Sequence, residues 1–302
     1  MNTTTNLMML VRREVWENRS LWIAPLVVCG VILLVSAFGG IHVGHGNEFW
    51  VGWNSEPPHL NHVDVDPQKL EKIYAGTLIG FAVVQLMTLG IVVFFYLLDS
   101  LLAERKDRSI LFWKSLPISD TEVVSSKLIT ALVLAPIYVL VTTAFTQIAF
   151  AAIWSLRGPQ GLPGELLIPW DGSVWMQVQL AFVALVPAVV VWFLPLAGYL
   201  LLVSVWARKN AFLWAVLPPA GILLVENLLM DSHRFAEFLG RRFVGVFQVM
   251  DFHGPDSDGE TLGVFVQHVG RVFANYETWL GVLVAGAFIV AVIRIRRYRD
   301  DS

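Results

Sequence analysis

Six long apolar blocks constrain this chain more than any other feature of its sequence. Crossing about 30 Å of hydrocarbon takes about 20 helical residues at 1.5 Å rise each. Blocks of that kind run over Leu21–Ile41, Ile73–Leu98, Leu128–Trp154, Trp175–Trp206, Ala211–Met230 and Trp279–Ile295. In hydrocarbon every backbone N–H and C=O must be paired within the segment, so each block is read as a helix. With 56% hydrophobic and only 15% charged residues among 302, a water-soluble globule, which carries about 25% charged residues, is excluded. The fold class is all-α integral membrane with six transmembrane helices. Proline at 136, 187, 195, 218 and 219 falls inside the blocks, so kinks and tilt are expected. A net charge of −3 gives no reason to expect nucleic acid. The one cysteine, Cys29, leaves no intrachain disulfide.

Basic residues set the orientation. Arg12, Arg13 and Arg19 precede the first block, and Arg105, Lys106, Arg108, Lys114 and Lys127 flank the connection between the second and third. Arg208 and Lys209 follow the fourth block, and Arg294, Arg296, Arg297 and Arg299 end the chain. Fourteen of the 21 Lys and Arg therefore fall on one side when the blocks alternate, which predicts both termini in the cytoplasm. Trp50, Trp53, Trp154, Trp170, Trp175 and Trp279 then gather at the outer interface, where amphipathic rings sit at headgroup depth. The first block is read as a retained anchor, because its apolar run is too long for a signal peptide and Glu14 and Glu17 interrupt the basic region.

Two amphipathic regions flank the spans. Residues 1–20 place Leu7, Met8, Leu10, Val11 and Val15 near one side of a helix and Arg12, Arg13, Glu17 and Arg19 mostly on the other. That suits an elbow helix lying in the headgroup plane, although simple continuation of the first span would give the same pattern. The remaining residues, 21–302, form the six-helix transmembrane domain. In the outer loop 231–278, Phe235, Phe238, Leu239, Phe243, Val246 and Phe247 recur near helical spacing. A second set follows at Leu262, Val264, Phe265, Val269, Val272 and Phe273, beyond the turn at 254–259. Two outer helices before the last span are expected.

The densest signal lies in the loop 101–127. Glu104, Arg105, Lys106, Asp107 and Arg108 form a mixed-charge cluster; Ile110, Leu111, Phe112 and Trp113 follow as four bulky apolar residues, then Lys114, Leu116 and Pro117. Apolar side chains rimmed by charge suit contact with another protein, or with lipid headgroups. Pro117 stops a helix, and Ser119 to Glu122 has capping-box spacing for the next one.

This run, with its aromatic pair, Ser-Leu-Pro-Ile-Ser-Asp and Val-Val-Ser-Ser-Lys, resembles the loop between the second and third spans of ABC transporter permeases of the type-2 exporter class. The six-span layout is similar throughout, while the motif covers only this loop. The resemblance implies that the loop is a coupling helix docking into a separate ATPase subunit, beside the elbow helix. Carried over by position, Glu104–Arg108 and Ile110–Leu116 would form the docking surface. It also implies a homodimer, or a dimer with a related permease, in the lipid of a bacterial inner membrane. ATP and Mg would be bound by the partner, with no cofactor in this chain. Family topology makes Gln85 and Thr88 on the second span, and Glu226 and Asn227 on the fifth, candidates for a translocation path. An alternative for Glu226, about four residues from the end of its span, is that its carboxylate reaches back to the interface.

Other chemistry has little support. His42-x-x-His45 and His59-x-x-His62-x-Asp64-x-Asp66 have spacings that could hold a transition metal, but the solvated-loop reading is preferred and no metal site is assigned. No phosphate-cradling G-x-x-x-x-G-K-[ST], H-E-x-x-H or G-x-S-x-G is present, so the chain reads as a non-catalytic transporter subunit whose energy comes from a partner. The reading is the membrane permease of an ATP-driven exporter. Its alternatives are a membrane-anchored metal-handling protein or enzyme acting through the outer histidines, and a sensor or immunity protein on the same scaffold. The substrate is not legible.

Overall fold

The computed structural model describes residues 3–38, 40–43, 49–52, 67–107, 118–157, 172–230, 232–249 and 269–298. Helix α1 spans Thr3–Glu17 and breaks at Asn18 and Arg19 before α2, Ser20–Phe38. The break separates an elbow helix from the first span, so the chain does not simply continue the first span toward its N-terminus. Helix α3 covers Pro67–Lys106; α4 covers Asp120–Ile129 and runs through a π-helical turn, Thr130–Leu134, into α5, Ala135–Arg157. Then come α6 at Gly172–Trp206, α7 at Ala211–Met230, the outer helix α8 at Arg234–Val249, and α9 at Tyr276–Tyr298. Six helices are long and apolar enough to cross a membrane: α2, α3, the α4–α5 unit, α6, α7 and α9. This is a multi-pass membrane protein, as the sequence predicts.

Each departure from simple helix has a local cause. Pro136 has no N–H for the ladder and its ring crowds the preceding turn; the π turn just before it widens the spiral, with Ala135 N–H reaching back to the Thr130 carbonyl. The connection of Ala207 to Asn210 between the fourth and fifth spans closes with Asn210 at φ 51°, a left-handed conformation that Asn tolerates better than most residues. A short antiparallel hairpin pairs β1, Gly40–Val43, with β2, Phe49–Gly52. It is absent from the all-helical expectation, and its β-branched and aromatic residues suit a strand. Of the second outer helix, residues 269–274 are helical; the rest of that segment lies outside the described residues.

The spans fall into two lengths. At 19, 20 and 23 residues, the first, fifth and sixth are about 28–35 Å long and match the hydrocarbon. The second and fourth, at 40 and 35 residues, reach about 60 and 52 Å, and the α4–α5 unit is comparable. These exceed a bilayer core by about 20–30 Å. At the end away from the termini, Tyr74, Ala75 and Leu78 of the second span pack on Val174 and Val178 of the fourth. At the end that bears both termini, Leu97, Leu101 and Leu102 meet Leu200, Leu201 and Val205 in the main core.

The second and fourth spans approach closely at that end. The Ser204 hydroxyl accepts from the N–H groups of Leu101 and Leu102 at 3.0 and 3.2 Å. The sixth span lies on the fourth at Gly198, where a Cβ would sit 3.2 Å from Phe288 Cβ and 3.3 Å from the Ala285 carbonyl oxygen. By contrast the first and fifth spans leave much apolar surface uncovered, including Leu26, Val31 and Leu34 on one and Leu217, Leu224 and Leu228 on the other.

The close approach at Gly198 predicts that Gly198→Leu lowers stability by about 1–3 kcal/mol through overpacking. Gly90→Leu, at a position where a Cβ meets nothing within 4 Å, is expected to leave it unchanged. Thermal unfolding of the two variants in detergent compares them directly; equal shifts would contradict the packing account.

Candidate coupling site

Around the mouth of the loop 108–117, four elements bring ionised side chains into one buried cluster. The second span ends with Glu104, the third begins with Asp120 and carries Lys127 two turns on, the sixth ends with Arg296, and the elbow helix contributes Arg13 and Glu14. Glu14, Glu104, Lys127 and Arg296 are each no more than 5% exposed. Charges taken that far from water each cost several kcal/mol unless matched by good geometry.

The matching is close. Lys127 Nζ stands 2.9 Å from Glu14 Oε1 and 2.9 Å from Glu104 Oε1. The Tyr96 hydroxyl donates to Glu14 Oε2 at 2.8 Å, and Asn18 Nδ2 donates to the same oxygen at 3.1 Å. Arg296 Nη1 donates to Glu104 Oε2 at 2.7 Å while its Nε donates to Asp120 Oδ1 at 2.9 Å. Arg13 Nη1 lies 4.0 Å from Glu104 and its Nε pairs with Glu17 at 2.6 Å. Among the described residues, Glu14, Glu104 and Asp120 are thus matched by Lys127 and Arg296, with the Arg13–Glu17 pair at the edge of the cluster. Removing one member of such a set leaves an uncompensated buried charge.

Local structure presents these groups. Ser119 and Glu122 form the capping box the spacing predicts: Ser119 N–H donates to Glu122 Oε2 at 2.7 Å and Glu122 N–H to Ser119 Oγ at 3.2 Å. That fixes the first turn of α4 and with it Asp120, whose negative charge also suits a helix N-terminus. At the end of the second span, Arg105 turns inward and its Nη2 donates to the carbonyls of Ser204 and Ala207, each at 2.6 Å. It therefore caps the C-terminus of the fourth span, where a cation is favoured.

Of the docking surface read from the sequence, Glu104 is buried and Arg105 half-buried, and both pair within the bundle. Lys106 and Asp107 face outward. Arg108, Ile110, Leu111, Phe112, Trp113, Lys114 and Leu116 lie outside the described residues. So do His45, His59 and His62 and the side chain of His42; among the described residues no group of three or more His, Cys, Asp or Glu could hold a metal ion.

The path candidates are dispersed. Gln85 is fully buried, with Nε2 3.4 Å from the Pro25 carbonyl of the first span. Thr88 donates to its own helix at the Val84 carbonyl, 2.9 Å away, and Asn227 is exposed. Glu226 is half-buried and bonded to the start of the outer helix. Its carboxylate accepts from the Phe235 N–H at 2.9 and 3.1 Å and from the Ser232 hydroxyl at 3.0 Å. It thereby caps the outer helix α8, whose free N-terminal amides need acceptors.

Sequence reasoning missed the role of Lys127, Arg296 and Glu14. Lys127 and Arg296 entered only as orientation charges, yet Lys127 stands seven residues into the capped helix, facing inward among Val123, Val124 and Ser126. A lone cation two turns inside an apolar helix was the available signal.

Residues 73–154 match the family model for ABC-2 family transporter protein. The match spans a little over a quarter of the chain: the second span, the loop and the third span, bounded by the two helices that hold Glu104, Asp120 and Lys127. The matched segment is similar to that of an ABC-2 type permease. This is the resemblance the sequence carries, and the match bears it out. An ABC-2 permease is a transporter membrane subunit, and the family in general works with an ATPase partner. No curated protein and no solved structure matches the chain.

Two predictions follow the geometry. Lys127→Met leaves Glu14 and Glu104 buried against each other without their shared cation, which is expected to cost about 3–5 kcal/mol. Asp120→Asn, at a side chain 25% exposed, is expected to cost about 1 kcal/mol; unfolding midpoints in detergent would reverse this ranking if the cluster were solvated. Glu226→Ala removes a cap worth about 1 kcal/mol and should speed amide exchange at Phe235 while exchange in α3 stays as it was.

Proposed function

We propose that this chain is the membrane-spanning permease subunit of an ATP-binding-cassette exporter, coupled through the loop 108–117 to a separate cytosolic ATPase. The observation that carries the reading is the buried ionic cluster at the two stems of that loop, within the segment that matches the ABC-2 family. A contact that transmits work needs a firm base, and both stems rest on charges that cannot separate without exposing unpaired ions to a low-dielectric interior. The loop residues Arg108, Ile110–Trp113, Lys114 and Leu116 then act as the docking surface, with Lys106 and Asp107 at its edge. Glu104 and Arg105 brace it from beneath.

The ATPase supplies ATP and Mg; this chain supplies the path. Its nucleotide states move the permease only in so far as they bind two permease conformations unequally. Both termini lie in the cytoplasm in this reading, because 14 of 21 basic residues share their side. A second copy or a related permease completes the path. The first and fifth spans support this, since their uncovered apolar faces need either lipid or another permease. The expected location is a bacterial inner membrane, and transport runs outward.

Replacing both Phe112 and Trp113 with Ala removes the aromatic anchors that dominate interfaces of this kind, each worth about 2 kcal/mol or more. The double variant should weaken recovery of the ATPase with the permease at least tenfold in a pull-down from native membranes, and should leave the unfolding midpoint of the permease unchanged. A double variant that retains the ATPase and stimulates its hydrolysis like the parent would overturn the coupling assignment.

A further inference from the structure

We propose that Arg296 locks both stems of the coupling loop to the last span, so that the two stems and the last span move as one body. The inference rests on the coupling reading for its functional meaning, and on geometry for the lock itself. One guanidinium, on a side chain only 2% exposed, reaches Glu104 on the incoming stem at 2.7 Å and Asp120 on the outgoing stem at 2.9 Å. Glu104 stands three residues before Asp107 and Asp120 two residues after Ile118, the last described residues on either side of the loop. The two carboxylates lie sixteen residues apart in the chain, and Arg296 is the one side chain that pairs with both among the described residues.

Arginine suits this task. Its planar fork presents donors in fixed directions, so two acceptors held by Nη1 and Nε are also held at a fixed spacing from each other. Lysine, a point charge on a flexible stem, could satisfy one carboxylate without fixing the other. Water does not compete for the Glu104 contact, since Glu104 and Arg296 are both buried, while Asp120 is partly exposed.

What happens to a displacement that enters at Arg296 follows from packing. The last span is seated on the fourth at Gly198, against Ala285 and Phe288. Nearer its other end, a Cβ on Gly281 would meet Pro195 and the guanidinium of Arg242. Arg242, on the outer helix α8, lies over the Trp192 ring at 4.5 Å, and Trp192 Nε1 donates to its backbone carbonyl at 2.8 Å. The last span is therefore held along its length by contacts with little slack. A tilt imposed at Arg296 is passed to the fourth span and toward α8, and is not absorbed locally.

The test uses the full chain in lipid nanodiscs with Cys29→Ser, so that introduced cysteines alone carry spin labels. One pair joins Asp107→Cys to Arg297→Cys and the other joins Thr121→Cys to Arg297→Cys, all at exposed positions. Electron–electron distance distributions should be narrow for both pairs in the parent. Asp120→Asn should broaden the Thr121 pair alone, Glu104→Gln the Asp107 pair alone, and Arg296→Gln both. The two single-stem variants keep the question answerable if Arg296→Gln does not fold. Narrow distributions in folded variants, with unfolding midpoints still measurable, would overturn the inference. Adding the co-purified ATPase with ATP and vanadate should leave both parent distances fixed; a change in either would also overturn it. The nucleotide-free measurement involves no ATPase, so failure of the lock is separable from failure of the coupling reading. That reading fails if no ATPase is recovered with a chain whose lock is intact.

Discussion

Hydrocarbon does not solvate charge, and the arrangement at the termini-bearing end of this bundle follows from that constraint. Ionised side chains from the elbow helix and from the second, third and sixth spans meet there and pair with one another. Apolar contact alone would not fix which helices neighbour one another in a lipid solvent, since lipid tails compete equally for Leu and Val. Glu104 and Glu14 sharing Lys127, and Glu104 and Asp120 sharing Arg296, impose a specific register. The desolvation cost makes the wrong registers worse than the right one, which is a stronger statement than that the cluster stabilises the fold.

Function enters through what this cluster surrounds. The loop 108–117 leaves from Asp107 and returns at Ile118, and each stem is tied down within a turn by a carboxylate in the cluster or by the Ser119–Glu122 cap. Arg105 adds a tie to the end of the fourth span. Of the described residues that looked like a docking surface, Glu104 and Arg105 pair within the bundle while Lys106 and Asp107 are exposed. The same division appears at the opposite end. Glu226, an intramembrane carboxylate by sequence, is the acceptor for the first amides of α8, and Arg242 of that helix is seated over Trp192 of the fourth span.

Much of the architecture was legible in the sequence because it depends on length and polarity alone. Six apolar blocks became six helices with ends within several residues of the expected ones, except that the second and third extend further. The elbow helix, the capping box at Ser119 and the outer helix beginning at Arg234 also follow from periodicity and cap chemistry. The hairpin at 40–52 was missed because two strands of four residues give too short an alternation to stand out beside a bilayer-length block. At the site, Glu104 and Arg105 stood out in the sequence, but what they pair with did not. Charge on a helix end reads as exposed unless its partners are known, and apart from Lys127 these partners lie more than 90 residues away along the chain.

By itself the sequence determined that the chain crosses a membrane six times, where its helices start and stop, and that one loop concentrates aromatic and ionic residues. Hydropathy, proline and capping chemistry are local, so they survive without knowledge of what packs against what. The tertiary structure alone decided which charges pair, which of them support the loop, and that the last span is bound to both of its stems. Pairing depends on distances between residues remote in the chain. In a medium that penalises every unpaired ion, those distances separate a charge left at the surface from one that holds the bundle together.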